Sequence, residues 1–255
     1  MVQPTTVSVL ANPEEILAAA LAEFDQALEA MADPLVSFAT GETFKALFGR
    51  LRERFEEGSL DARSFRGTHL DEYEGFGIER VGGMMAQLLV ACPPFRSMLE
   101  EGRFLPVPSD ASGIAAYREA VRVAGGVRLQ FLGIGRNGHL AFNEPGSEFS
   151  SVLRRAELTD ETRAVARGTF ASETVPRWAI TSGTHDILSA HRLVLVATGA
   201  AKAEAVKKAI EGPIDPACPA SAIRMHPNGI FLLDHAAASL LKSSGLEEQG
   251  RQACS

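Results

Sequence analysis

The chain is expected to fold as an α/β protein with a mainly parallel sheet covered by helices on both faces. Three observations predict this. Strand-like and helix-like stretches alternate along most of the 255 residues, and candidate strands such as "RLVLVATG" are nearly continuously apolar, as strands buried on both faces are. Glycine-rich and polar clusters also fall just after strands, where ligands gather in open sheets of this kind.

Taken in order, Asn12 can cap a helix and Pro13 suits its first turn. Leu17, Leu21, Phe24, Leu28 and Met31 then recur at spacings of four and three, as one buried stripe. "PLVSFATGETFKALFGRL" reads as a strand (Leu35 to Ala39), a turn, and a helix carrying Phe44, Leu47, Phe48 and Leu51 on one face. Further strands are expected at Ser64 to Leu70, Phe104 to Val107, Val127 to Ile134, Trp178 to Thr181, Leu193 to Thr198 and Gly229 to Leu233. Helices are expected at Val81 to Val90, Gly113 to Val123 and Ala201 to Ile210. With no internal repeat or low-complexity linker, residues 1–242 read as one domain. Residues 243–255 read as a polar tail, and the segment from Ser147 to Phe170 is polar enough to move.

The net charge of −7 leaves no basic excess for a nucleic acid or an anionic membrane, although a single small anion needs only local charge. No run reaches the ~18 apolar residues of a membrane span. Cys92, Cys218 and Cys254 lie far apart, without metal-ligand spacing, so a reduced cytoplasmic protein is expected.

The stretch "LGIGRNGHLAFNEPG", Leu132 to Gly146, contains G-x-G-x-x-G, but a dinucleotide fingerprint opens a long helix followed by a second apolar strand. Here Pro145 follows seven residues after the third glycine, and "RRAELTDETRA" is charged and lacks a clear apolar run. What remains is a loop in which Gly133 and Gly135 allow close backbone approach to a ligand and His139 can carry a proton near neutral pH. A lone histidine beside a glycine turn is more often structural. The case for chemistry rests on "GTHLDEYEG", which sets Asp71 and Glu72 after another strand and suits stepwise acid-base work in a common crevice.

These residues resemble the glucosamine-6-phosphate deaminase (isomerase) family. The likeness is close in "LDEYEG" and "LGIGRNGHLAFNEPG" and looser in "ATGETF", "TDETRAVA", "VPRWAITSG", "ATGAAKAEAV" and "MHP". The resemblance implies a Rossmann-like three-layer sandwich, an amino sugar phosphate substrate, no metal or organic cofactor, and a possible homo-oligomer. It makes Asp71 the base acting between C2 and C1, and His139 the ring-opening group, oriented by Glu144 and Asn137, where many relatives carry Asp. Phosphate would meet the turn Thr40-Gly41-Glu42-Thr43, the backbone at Gly135, and the cations Arg167 and Lys202.

Several positions depart from the family pattern. Glu42 would repel a dianion if it faced the ligand, or would favour the helix dipole if it turned outward. The family's phosphate-binding arginine falls on Gly168, one place after Arg167, and His185 stands where relatives usually have glycine. Two alternatives follow: a lactonase acting on a sugar phosphate lactone, with His139 as the base for water, or a sugar-binding module with altered or lost phosphate recognition.

Overall fold

A computed structural model describes residues 5–78, 80–170 and 175–242; the expected polar tail lies outside the described residues. Seven strands form a wholly parallel sheet: β1 (Thr6–Leu10), β2 (Leu35–Phe38), β3 (Arg66–His69), β5 (Phe104–Leu105), β6 (Val127–Leu132), β9 (Arg192–Ala197) and β10 (Gly229–Asp234). Their spatial order is β1-β10-β9-β6-β2-β3-β5. The chain winds outward from β2 in one direction and from β6 in the other. A crevice therefore opens between the carboxyl ends of β2 and β6, where the winding reverses.

The helices are α1 (Pro13–Ala30), α2 (Lys45–Glu56), α3 (Met84–Ala91), α4 (Phe95–Glu100), α5 (Ile114–Val123), α6 (Asp160–Ala166), α7 (Thr184–Leu188) and α8 (Ala203–Glu211). They complete a three-layer α/β sandwich. Asn12 caps α1 by accepting from the Glu15 amide at 2.9 Å, as its side chain predicts. The buried face of α1 is turned by about one position from the expected stripe. Ile16, Ala20, Phe24 and Ala27 are buried, Leu17, Leu21 and Leu28 pack at its margin, and Met31 is exposed. Small alanines let the helix lie close on β6, β9 and β10, so the larger leucines flank the contact line.

The sheet's helical layer is aromatic. Phe38 packs within 6.4 Å, ring centre to ring centre, of Phe24, Phe48, Phe65, Phe95 and Phe131. Burying one such ring contributes about 3 kcal/mol, which fixes the end of β2 from which the next turn springs.

A second, antiparallel sheet runs β4-β8-β7, with β4 at Asp71–Tyr73, β7 at Arg154–Glu157 and β8 at Trp178–Thr181. Trp178 to Thr181 is thus a strand, but of this small sheet and not of the parallel one. The charged stretch that shows no apolar run holds β7, an edge strand that buries little, followed by α6. Helix α3 begins three residues later than its apolar pattern predicts, because Gly82 and Gly83 form the turn before it.

Candidate active site

The parallel order places three turns side by side at the carboxyl end of the sheet: residues 39–44 after β2, 133–146 after β6 and 198–202 after β9. The central loop is a tight irregular coil. The Gly135 amide donates to the His139 carbonyl at 3.0 Å, and the Gly138 amide donates to the Gly135 carbonyl at 3.0 Å. A Cβ at Gly135 would run into the His139 ring, so only glycine lets the imidazole lie over this backbone. Gly138, at φ +90°, backs onto Cys218, whose sulfur would lie 2.7 Å from an added Cβ.

Around the imidazole, His139 Nδ1 stands 3.6 Å from Glu144 Oε2. Asn137 Nδ2 donates to that same oxygen at 2.9 Å, and Asn137 Oδ1 accepts from the His139 amide at 3.2 Å. The hydroxyls of Thr159 and Thr162 donate to Glu144 Oε1. Burial alone would raise the Glu144 pKa. The interactions with His139, Thr162 and Asn137 outweigh it and bring the value down to about 2, so this carboxylate is anionic at any working pH.

Asp71 comes from the small sheet. It lies opposite Thr181 in the β4–β8 ladder, and Thr181 Oγ1 accepts from the Phe142 amide at 3.1 Å, three residues past His139. The Ser182 amide donates to the Leu70 carbonyl at 2.8 Å, and the buried Asn143 Nδ2 donates to the Ser182 carbonyl at 2.8 Å. The rings of Tyr73 and Phe142 pack at 5.4 Å. The segments bearing the carboxylate and the imidazole are therefore stitched together through residues 181 and 182. Asp71 is buried, which, reinforced by the neighbouring Glu72 charge, raises its pKa to about 8.

Glu72, the second acidic residue of the motif, has a different task. Strand alternation turns it away from Asp71, and its carboxylate accepts from the amides of Tyr73, Met84 and Met85 at 2.8, 2.9 and 3.0 Å. It thereby ties the start of α3 to β4. Burial raises its pKa to about 6 against those hydrogen bonds.

The expected phosphate residues divide. Glu42 is turned to solvent and paired with Lys45 at 2.6 Å, so only its backbone remains for a ligand. The carboxylate is thus turned outward, the orientation in which it favours the helix dipole. Thr40 Oγ1 contacts Met84 Sδ at 3.1 Å, while Gly41, at φ +107°, opens the turn to Thr43. Lys202 is not a solvated helix residue: its ammonium is half-buried and donates to the Ile134 carbonyl at 2.7 Å. Arg167 and Gly168 lie exposed in the short turn after α6, and no hydrogen bond or ion pair among the described residues joins Arg167 to the His139 loop. His185 is exposed on α7.

The sequence reading singled out neither Thr159 nor Thr162, although the capping pattern T-x-x-T inside "LTDETR" marks both. Arg154, whose Nη1 donates to Asn143 Oδ1 at 2.8 Å, also went unmarked, hidden in a charged stretch.

A sequence-family model described as "Glucosamine-6-phosphate isomerases/6-phosphogluconolactonase" matches residues 11–231. The chain belongs to this family. A glucosamine-6-phosphate deaminase of Hahella chejuensis is 36% identical over 92% of each chain, and one of Rhodopirellula baltica is 39% identical over 81% of this chain and 84% of its own. The solved structure of a monomeric glucosamine-6-phosphate deaminase superposes with a TM-score of 0.83 at 30% identity, covering 92% of this chain and all of that one. A 6-phosphogluconolactonase of Trypanosoma brucei, at 20% identity and a TM-score of 0.69, covers 93% of this chain and 99% of its own and shares the fold. Among the described residues, no helix is long and apolar enough to cross a membrane.

Proposed function

We infer that this member of the glucosamine-6-phosphate isomerase family converts glucosamine 6-phosphate to fructose 6-phosphate and ammonia. The observation that carries the reading is the joining of the Asp71 strand to the His139–Glu144 loop at the crevice end of the sheet.

The chemistry needs two separate proton carriers. The pyranose must open to the aldehyde before the C2 proton becomes acidic, and one group cannot reach both the ring oxygen and C2. His139, backed by the fixed charge of Glu144 and held by Asn137, handles the proton at the ring oxygen. Asp71 removes the C2 proton to give the enolamine and returns a proton to C1. The resulting C2 imine takes up water and releases ammonia, leaving the ketone. Every step is a proton transfer, a water addition or the departure of ammonia, so none calls on a metal or an organic cofactor.

The 6-phosphate meets the backbone N–H groups of the Thr40–Thr43 turn and the Lys202 ammonium, and passes close to the backbone at Gly135, whose own amide is engaged by the His139 carbonyl. The free, buried thiols of Cys92 and Cys218 support a reducing, cytoplasmic setting.

The test is incubation of the pure protein with glucosamine 6-phosphate, measuring ammonia and ketose together. Stoichiometric release of both is expected; release of neither would overturn the reading. Hydrolysis of a 6-phosphoglucono-lactone in its place would favour the lactonase alternative, and sugar binding without turnover the binding-module alternative.

A further inference from the structure

At the phosphate end of the crevice the charge arrangement is unusual. The position that the family resemblance gives to a phosphate-binding arginine is Gly168, and Arg167 is exposed and tied to nothing in the central loop. One cation, Lys202, is left beside a turn that must hold a dianion.

Two residues from the carbonyl that Lys202 grips lies Arg136, exposed on the same loop. Its positive charge is felt at Lys202, whose pKa is lowered by burial first and by Arg136 second. Among the described residues neither side chain forms an ion pair, and Glu42, the nearest carboxylate in sequence to the turn, is engaged outward by Lys45. The sheet order β9-β6-β2 sets the Lys202 turn, the Ile134–Arg136 backbone and the Thr40–Thr43 turn next to one another. Phe44 of that last turn packs on Phe131, and its ring also lies 3.8 Å from where a Cβ on Gly133 would stand. Lys202 is fixed on the carbonyl two residues before Arg136, so an anion bound beside this turn would be attracted by both charges.

We propose that Arg136 is a specificity-determining residue, the second cation of the subsite, which with Lys202 clamps the phosphate monoester of the sugar. The second cation for the phosphate is then supplied by the loop that bears His139, and not by the segment after α6. A guanidinium suits this task because its forked donors meet two phosphate oxygens at once. The proposal rests on the reading of the site given above.

The experiment compares wild type with Arg136→Gln, Arg136→Lys and, as a control for net charge, Arg50→Gln on α2, a half-buried arginine paired with Glu53 and Glu57. Turnover of glucosamine 6-phosphate is measured, together with binding of inorganic phosphate by calorimetry. Arg136→Gln is expected to raise KM at least about tenfold with kcat held within about threefold, and to weaken phosphate binding in parallel; Arg136→Lys recovers part of both. A KM and a phosphate affinity within about twofold of wild type, or an equal shift in Arg50→Gln, would overturn the proposal. Wild-type turnover with phosphate binding indifferent to Arg136 removes the clamp and leaves the reaction standing. Arg136-dependent phosphate binding without turnover does the reverse, and absence of both removes the two together.

Discussion

Asp71 carries a conflict between stability and chemistry. In its proposed role as a base it must be ionised, yet its burial holds the proton up to a pKa of about 8. In the free enzyme kcat/KM should therefore fall by roughly tenfold per pH unit below about pH 8, and a profile flat between pH 6 and 8 would remove Asp71 from the proton-abstracting role. The same shift bears on folding. A carboxyl whose folded pKa is raised from 3.8 to about 8 contributes stability fully present below pH 3.8 and lost as pH rises toward 8. Asp71→Asn should thus abolish turnover while raising Tm over wild type, by a margin that grows with pH across that window and then levels off; differential scanning calorimetry at several pH values checks it. Glu144 is the opposite case, a carboxylate kept ionised by its donors. Glu144→Gln removes the charge beside His139 and should lower kcat roughly a hundredfold with KM changed only a few-fold, as steady-state kinetics would show. At this scale the sequence was informative about which loops gather polar side chains at the carboxyl end of the sheet, because glycine spacing and polar clusters after strands are local signals. It was silent about Arg136, which looks like any solvated arginine until Lys202 is found fixed on the carbonyl two residues before it.

At the scale of elements, α3 depends on one side chain. Its N-terminal amides at Met84 and Met85 have the Glu72 carboxylate as their acceptor, and Glu72 is wholly buried. Glu72→Ala leaves three buried donors without that partner and should destabilise the protein by about 3 kcal/mol, read from urea unfolding; a loss under about 1 kcal/mol would show that water or the helix end adjusts to supply acceptors. The parallel strands were legible because burial on both faces leaves an apolar run, as in "RLVLVATG". The small sheet was not, for physical reasons. β4 has three residues and β7 is an edge strand whose Arg155 and Glu157 are exposed, so neither leaves an apolar alternation to detect. β1 leaves no clear strand signal either, being a five-residue sheet edge whose residues are only half-buried. The buried stripe of α1 lies one position from its hydrophobic periodicity, since alanine counts little in that periodicity yet sits at the closest approach to the sheet.

For the molecule as a whole, all the groups assigned to the reaction come from one chain. Specific activity is therefore expected to stay constant on dilution from micromolar to nanomolar protein, whatever assembly forms at high concentration. A fall on dilution, matched by a fall in mass by light scattering, would show that a homo-oligomer completes the crevice. The group proposed to deprotonate carbon rides on the three-stranded layer, and the group proposed to open the ring belongs to a loop of the seven-stranded one; Thr181 and Ser182 are the rivets between them. Catalytic spacing is thus a property of how two plates are fastened. Loosening a rivet, as in Thr181→Val, alters the gauge of the machine while every tooth stays in place.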